Sequence, residues 1–285
     1  MMMRIAVFPN RDKEDAPNVL ARIFRFFRDK DVRLMTSQED AAFFHCEEYG
    51  VPDIDGEPMD MALSVGGDGT LLGVCRRVYE KNAPVCGVNI GTFGFLADIE
   101  LTELEAKLEK ILRGEYHLEE RMVISGFVQS EGQKERFLGN AVNDVVVTKG
   151  GAARMLQLGL TVNGFHVMDY KADGLIVSTA TGSTAYSLSA GGPLVNPKIK
   201  ALLLTPICPH TFNARPIVMD EDDEIKIDVA ALHRDIMVTF DGQDSFHILP
   251  GDVIIVRRAP LPAKIVKFDD KNYYQTIRTK LLYSA

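Results

Sequence analysis

The chain has 285 residues, 46% of them hydrophobic and 25% charged. That is an ordinary globular composition, long enough for one large domain or two ordinary ones, and it excludes a disordered chain, a collagen and a small disulfide-knotted protein. The net charge of −8 speaks against a broad electrostatic hold on nucleic acid or an acidic membrane, so an anionic ligand has to be gripped by a few local donors. Cys46, Cys75, Cys86 and Cys208 form no CxxC pair, which removes zinc-ribbon and thioredoxin-like motifs and predicts reduced, mostly buried thiols. The N-terminus turns charged before a signal-peptide core builds, and no apolar run approaches the roughly 20 residues that span a bilayer. A soluble, cytoplasmic protein is expected, with neither nucleic acid nor membrane as partner.

Over residues 1–118 strand and helix patterns alternate. Ile5–Phe8 is a short apolar run closed by Pro9-Asn10, the mark of a buried strand. Val19, Leu20, Ile23, Phe24 and Phe27 then recur at helical spacing behind Pro17. Ala62–Val65 is a second buried strand leading into Gly66-Gly67-Asp68-Gly69-Thr70, after which Leu71, Leu72, Val74, Cys75 and Val78 resume helical spacing. Val85–Val88 is a third strand, followed by Gly91-Thr92-Phe93-Gly94-Phe95, a glycine-punctuated loop. Thr102 and Glu105 have the spacing of a capping box; Leu104, Leu108, Ile111 and Leu112 supply the apolar face behind it, and Gly114 the stop. This alternation predicts an α/β domain, a parallel sheet with covering helices.

From residue 119 the period changes. Leu156, Leu158, Leu160 and Val162 alternate, Asn163-Gly164 follows, and Phe165 and Val167 resume, which predicts a tight hairpin. Asp144–Thr148, Leu175–Thr179, Glu224–Val229, Ile236–Phe240 and Val253–Val256 read as further strands, with a helical pattern only near Thr184–Ala190. A sheet-rich, β-sandwich-like domain over 119–265 is expected. Tyr273–Leu282 reads as a terminal helix, and the segment 266–285 is expected to pack back on the first domain.

The loop at 66–70 follows a strand and opens a helix, the setting in which glycines let backbone N–H groups approach a phosphate. It is not the Rossmann fingerprint, because Leu72 stands where the third glycine belongs, and no Gly-Lys dipeptide of a Walker A loop occurs anywhere. Its middle residue, Asp68, is costly beside phosphates unless it holds a divalent cation or accepts a proton from an attacking hydroxyl; the plain alternative is a solvated cap in a tight turn. Far along the chain, Asp173-Gly174 precedes a strand that runs into Ala180-Thr181-Gly182-Ser183-Thr184-Ala185-Tyr186-Ser187-Leu188-Ser189-Ala190-Gly191-Gly192-Pro193. Its neutral donors and acceptors suit a polar, sugar-bearing ligand; Ser187 stands where a G-x-S-x-G nucleophile would need its first glycine. Asn143-Asp144, opening a strand, can bracket a ribose or an adenine edge or be an ordinary turn. The six histidines show no metal-ligand spacing, and His210 lies in the tight segment Pro209-His210-Thr211-Phe212.

Taken together, these blocks resemble the NAD kinase family over most of the chain. The resemblance rests on GGDGT at 66–70, GTFGFLAD at 91–98, Asn143-Asp144, DGLIVSTATGSTAYSLSAGGP at 173–193 and PICPHTFNARPIV at 206–218. Diacylglycerol and sphingoid lipid kinases and relatives of phosphofructokinase share the first loop, so the long block at 173–193 is the distinguishing one. A lipid kinase would bind vesicles, which an acidic chain without a polybasic segment does not favour, and a non-catalytic nucleotide sensor would not need Asp68.

The resemblance implies transfer of the γ-phosphoryl of ATP to the 2′-hydroxyl of the adenosine ribose of NAD, giving NADP, with Mg²⁺ as the expected divalent cation. It makes Asp68 the base that activates the hydroxyl, with Gly66, Gly67, Gly69 and Thr70 as the phosphate loop and Gly69 against the dinucleotide. Asn143 and Asp144 are implied to hold the adenosine part, Arg154 and Lys171 to approach phosphate or ribose oxygens, and Asp173 to contact the nicotinamide end. Thr184, Ala185, Tyr186, Ser187, Leu188 and Ser189 are implied to line the pocket, and Gln243 to add a further contact. A homo-oligomer, dimer or tetramer, is also implied, with residues borrowed from a neighbouring subunit. Two departures from the family pattern, Asp144 for the usual Glu and Ala180 for the usual Pro, bear on affinity and leave the reaction class untouched.

Overall fold

The structure, a computed structural model, describes residues 2–91, 94–151, 154–269 and 273–279. The chain forms two compact units, one made of residues up to Glu120 with the chain from Ala263 onward, the other of Arg121–Pro262.

The first unit carries β1 (Met3–Pro9), β2 (Val32–Ser37), β3 (Gly50–Val51), β4 (Met61–Gly66), β5 (Val85–Asn89), β6 (Ile99–Glu100) and β7 (His117–Arg121). They join one sheet in the order β3-β2-β1-β4-β5, then the returning strand Ala263–Lys267, then β7, with β6 also on β5. Pairing is parallel from β3 through β5, and the returning strand is parallel to β5 with Ile265 beside Val85. The chain therefore re-enters this sheet at Ala263, before the expected 266. Between the strands lie α1 (Ala16–Phe27), α2 (Gln38–Phe43), α3 (Asp68–Arg77) and α4 (Leu104–Arg113). α1 buries Val19, Leu20, Ile23, Phe24 and Phe27, the expected stripe, with Pro in its first turn where no N–H is missed. α4 ends at Gly114, whose φ of +71° suits a glycine after a helix. The expected capping box at its start does not form: a 3₁₀ turn over Leu101–Glu103 precedes the helix, no side chain caps it, and Glu105 instead pairs with Arg22 at 2.6 Å. β2, α2 and β3 have no counterpart in the sequence pattern; Arg33 interrupts the apolar run of β2, although Leu34, Met35 and Thr36 are all buried.

Strand order places β1 between β2 and β4, so the chain leaves β1 to one side and returns on the other. Such a switch point leaves a crevice at the carboxyl ends of the two neighbouring strands, here Pro9-Asn10 and Gly66-Gly67.

The second unit carries β8 (Ile124–Gln129), β9 (Arg136–Ala141), β10 (Asp144–Lys149), β11 (Leu156–Val162), β12 (Phe165–Ala172), β13 (Gly174–Thr179), β14 (Ala201–Ile207), β15 (Ile217–Asp220), β16 (Ile225–Ala230), β17 (Ile236–Phe240), β18 (Asp244–Ile248) and β19 (Val253–Arg258). Two antiparallel six-stranded sheets result, β15-β14-β13-β10-β17-β18 and β12-β11-β16-β19-β8-β9. Val145, Val147, Leu175, Val177, Leu202, Leu204 and Phe240 of the first interleave in one core with Leu156, Leu158, Leu160, Ile225, Ile227 and Ile254 of the second. Alternation then puts Val146, Ile176 and Ile207 on the opposite face, where they meet Ala190. The predicted hairpin is present: Asn163 and Gly164, at φ +50° and +82°, join β11 to β12 with Val162 opposite Phe165. The helical pattern near Thr184–Ala190 resolves into a 3₁₀ turn, Thr181–Thr184, and the short helix α5 (Tyr186–Ser189). Part of the expected terminal helix lies outside the described residues; the described part is helical over Tyr273–Ile277.

Candidate active site

The glycine-aspartate loop sits at the switch-point crevice. A Cβ at Gly66 would collide with the Thr70 side chain, whereas one at Gly67 would meet open space. Thr70 Oγ1 accepts from Asn10 Nδ2 at 3.0 Å, which ties the ends of β1 and β4 together. No side chain caps α3, so its first turn can direct N–H groups and the positive end of its dipole at an anion. A cavity of about 940 Å³ lies at the end of β1, lined among others by Asn10, Arg11, Ser37, Asp40, Asp55 and, from the last turn of α3, Arg77. Its two arginines are held by carboxylates: Arg11 Nε lies 2.7 Å from Asp40, and Arg77 Nε 2.6 Å from Asp55.

Asp68 is neither a solvated cap nor an idle turn residue. Its Oδ2 accepts the Phe95 N–H at 2.6 Å, and its Oδ1 accepts the N–H groups of Leu96 and Ala97 at 3.1 and 3.2 Å. The chain over 94–98 is thus a strap drawn onto the carboxylate. Its far end is fixed by Asp98, 3% exposed, which accepts from Phe268 N at 2.9 Å and pairs with Lys267 at 3.3 Å. Gly94 is required by contact, because a Cβ there would fall inside the Asp68 carboxylate. Thr92 and Phe93 of the same motif lie outside the described residues.

In the second unit the polar motifs meet on the sheet face that carries Val146 and Ile176. The Asn143-Asp144 corner abuts the long block directly: Thr179 N and Ser178 Oγ both donate to Asn143 O, at 2.8 and 3.1 Å, and a Cβ at Gly182 would collide with that carbonyl. Antiparallel pairing sets Asp144 opposite Ser178 and Thr148 opposite Gly174, so Asp173 falls at the other end of β10. There its carboxylate pairs with Lys149 at 3.1 Å. The two ends are five residues apart, roughly 17 Å along a strand, a span comparable with an extended dinucleotide. Half-exposed Tyr186 overlooks this line. Its hydroxyl is held above the usual phenol range by burial and then by the charges of Cys208, Asp144 and Asp173.

Asp144 is 4% exposed, and burial, with the neighbouring Asp241 second, pushes its carboxyl up to about 7. Among the described residues nothing donates a hydrogen bond to it. Asn143 Oδ1 is buried and likewise unpaired.

The other expected residues divide. Thr184 and Ala185 lie in and just after the 3₁₀ turn, and Leu188 and exposed Ser189 in α5. Ser187 is fully buried, and its Oγ shares a 2.8 Å hydrogen bond with Thr205 Oγ1, fastening α5 to β14. Arg154 and Lys171 line a separate cavity of about 620 Å³ together with Lys149 and Gln157. The Lys171 backbone is braced by its neighbours, its N–H donating to Thr211 Oγ1 and its carbonyl accepting from His210 N, both at 2.7 Å. Gln243 is exposed at the turn after β17. Lys149, a partner of Asp173 and a wall of that cavity, was missed by sequence patterns; a base closing a strand just before Gly150-Gly151 is the signal that was there. Three cysteines are buried as expected, but Cys208 is exposed.

A glycine-aspartate loop at an α/β switch point and, in the second unit, polar groups spaced at dinucleotide length are the features a nucleotide phosphotransferase would use. Comparison with known proteins narrows the class. The ATP-NAD kinase N-terminal domain model matches residues 6–116 and the ATP-NAD kinase C-terminal domain model residues 142–268. The chain is 43% identical over 280 residues to the NAD kinase of Moorella thermoacetica, covering 98% of this chain and 89% of that one. It is 40% identical over 273 residues to the NAD kinase of Carboxydothermus hydrogenoformans, covering 95% and 97%. An NAD kinase from Archaeoglobus fulgidus solved in complex with ATP superposes with a TM-score of 0.78 at 26% identity, covering 99% of this chain and all of that one. Yeast NADH kinase, solved with NADH, shares the fold at a TM-score of 0.92 and 22% identity, over the whole chain and 89% of that one. The chain belongs to the NAD kinase family, and its activity is the phosphorylation of NAD to NADP with ATP.

Proposed function

We propose that Asp68 is the base of this reaction and that the Asn143–Asp173 groove holds NAD. The 2′-oxygen of the adenosine ribose attacks the γ-phosphorus of ATP in line. The new P–O bond forms as the bond to the β-phosphate oxygen breaks, ADP leaves, and the hydroxyl proton passes to Asp68. The observation that carries this reading is how Asp68 is held. A carboxylate has about four acceptor sites; three are taken by the strap, and the free one is on Oδ2. The strap thus fixes the carboxylate while leaving one lone pair for a hydroxyl, which is the positioning that phosphoryl transfer rewards.

ATP enters the cavity beside Asn10, and backbone N–H groups of the 66–70 loop meet the charge of the transferring phosphoryl. Among the described residues no three His, Cys, Asp or Glu side chains are grouped to hold a metal. A magnesium ion carried by the triphosphate needs only one or two protein oxygens and keeps its waters, so it enters as the Mg·ATP substrate and screens phosphate charge. In the groove, Asn143 and Asp144 take the adenosine, with Thr184, Ala185, Tyr186, Leu188 and Ser189 along it and Asp173 at the nicotinamide end. Arg154, Lys171 and Gln243 add polar contacts. The working form is a homo-oligomer, a dimer or tetramer, in the cytoplasm; exposed Phe165, Val167 and Leu232 offer apolar surface for it.

Asp68→Asn tests the base. Turnover measured as NADP formed from ATP, Mg²⁺ and NAD is expected to fall by about 10²–10⁴, with the KM for NAD within a few-fold of its normal value. Near-normal turnover in that variant removes Asp68 from the role.

A further inference from the structure

Asp241 belongs to none of the motifs, yet it controls the backbone of one. It follows β17 at φ +50°, ahead of Gly242 at φ +65°, in the turn to β18. Its Oδ2 accepts from Val142 N at 3.1 Å, and its Oδ1 accepts from Asn143 N at 2.7 Å and Asp144 N at 3.2 Å. Asp241 N returns a bond to Asp144 O at 3.0 Å. On the opposite side Thr179 Oγ1 donates to Val142 O at 2.6 Å, and Thr179 N and Ser178 Oγ to Asn143 O. Every N–H and every carbonyl of residues 142–144 is therefore engaged. A backbone held this way cannot turn to give the Asn143 side chain a partner, and Asn143 Oδ1 is left buried and unpaired. Buried polar atoms without partners are rare in folded proteins and call for a reason. A ligand donor would supply the partner that the fold does not.

We propose that Asp241 is a positioning residue for NAD: by clamping the N–H groups of residues 142–144 it holds Asn143 Oδ1 ready to accept from an N–H or O–H of the adenosine. This rests on the reading that Asn143 binds the dinucleotide. Asp241 touches no substrate and acts through Asn143. Burial beside the Asp241 charge also keeps the Asp144 carboxyl protonated to near neutrality; Asp241 and Tyr186 are the titratable groups that face it. The corner therefore offers an acceptor and a donor side by side.

The test is steady-state kinetics on Asp241→Ala, Asp241→Asn, Asn143→Ala and the double variant Asn143→Ala/Asp241→Ala, in the full chain. Asp241→Ala is expected to raise the KM for NAD by about 10–100-fold, with the KM for ATP and kcat changed less than about threefold. Asp241→Asn keeps the oxygen that serves Asn143 and Asp144 and loses the one serving Val142, so it falls between. Because Asp241 acts through Asn143, its removal should add less than about twofold in the Asn143→Ala background. Should Asp241→Ala not fold, Asp241→Asn in both backgrounds carries the same comparison. An unchanged KM for NAD in the Asp241 variants, or full additivity with Asn143→Ala, overturns the proposal. If Asn143→Ala itself leaves the KM for NAD unchanged, the reading of the groove fails instead, and the two failures are separated by that single variant.

Discussion

Each unit uses one carboxylate to gather three consecutive backbone N–H groups, and the two put it to opposite ends. In the α/β unit Asp68 gathers residues 95–97 and is the base of the proposed reaction. In the sandwich Asp241 gathers residues 142–144 and serves a neighbour. The fate of the other acid in the sandwich shows why the N–H groups matter. Asp144 is buried, its carboxyl receives no hydrogen bond among the described residues, and that carboxyl is pushed up to about 7. Burial without a donor raises a carboxyl pKa. On the proposed reading one clamp prepares a base and the other a binding corner, and damage to each should appear in different kinetic constants.

The sharpest break is Gly94→Ala. Its Cβ would occupy the space of the Asp68 carboxylate, so either the strap or the carboxylate must move. A shift near 1 Å at a reacting group costs about 10²-fold; kcat is expected to fall by about 10–100-fold while NAD affinity, read by fluorescence or calorimetry, stays within twofold. Paired with Asp241→Asn, which should raise the KM for NAD and spare kcat, it forms a crossed test. Were Gly94→Ala to raise the KM for NAD and leave kcat alone, the division of labour between the two clamps would be wrong.

A smaller effect separates the acids by pH. Asp144 binds its proton more tightly when folded than when unfolded, so between about pH 4 and about 7 the folded chain holds the extra proton. Stability contributed by that proton is fully present at the low end and is lost as pH rises through the folded value, with a slope of at most ~1.4 kcal/mol per pH unit. Asp144→Asn removes the titrating group at nearly constant shape. Thermal unfolding from pH 4.5 to 8 should therefore decline less steeply with rising pH in the variant than in the parent. Identical pH profiles would mean that Asp144 is ionised in the fold.

How far the sequence shows these devices depends on the direction of the contacts. β4, the 66–70 loop and α3 were legible because strand period, glycines and helix period follow one another within 20 residues. The hairpin at Asn163-Gly164 was legible for the same reason. β14 was not: all seven of its residues are buried, Leu202 and Leu204 into the core and Thr205 and Ile207 under α5, so it has no alternation to read. Ser187 reads as a ligand-facing hydroxyl by its company in the block, but its partner is Thr205, 18 residues on. Asp241 leaves no local mark because its partners are 97 to 99 residues away, and they are main-chain groups that any residue type supplies.

The weakest effect tests a place where a local pattern did mislead. Thr102 and Glu105 match a capping box, yet Glu105 is bidentate to Arg22, through Nε at 2.8 Å and Nη2 at 2.6 Å. If a capping box operated in solution, Thr102→Ala would cost about 1 kcal/mol. With the cap absent, Thr102→Ala should be neutral within about 0.3 kcal/mol. The Arg22–Glu105 pair is about one-third to one-half exposed, so water and salt screen it. A double-mutant cycle with Arg22→Ala and Glu105→Ala should then yield a coupling of about 0.2–1 kcal/mol that shrinks in high salt. Coupling that large between two exposed side chains is still smaller than what the buried N–H clamps are asked to supply. A Thr102→Ala loss near 1 kcal/mol with no Arg22–Glu105 coupling would return the helix start to its local pattern and leave both clamps untouched.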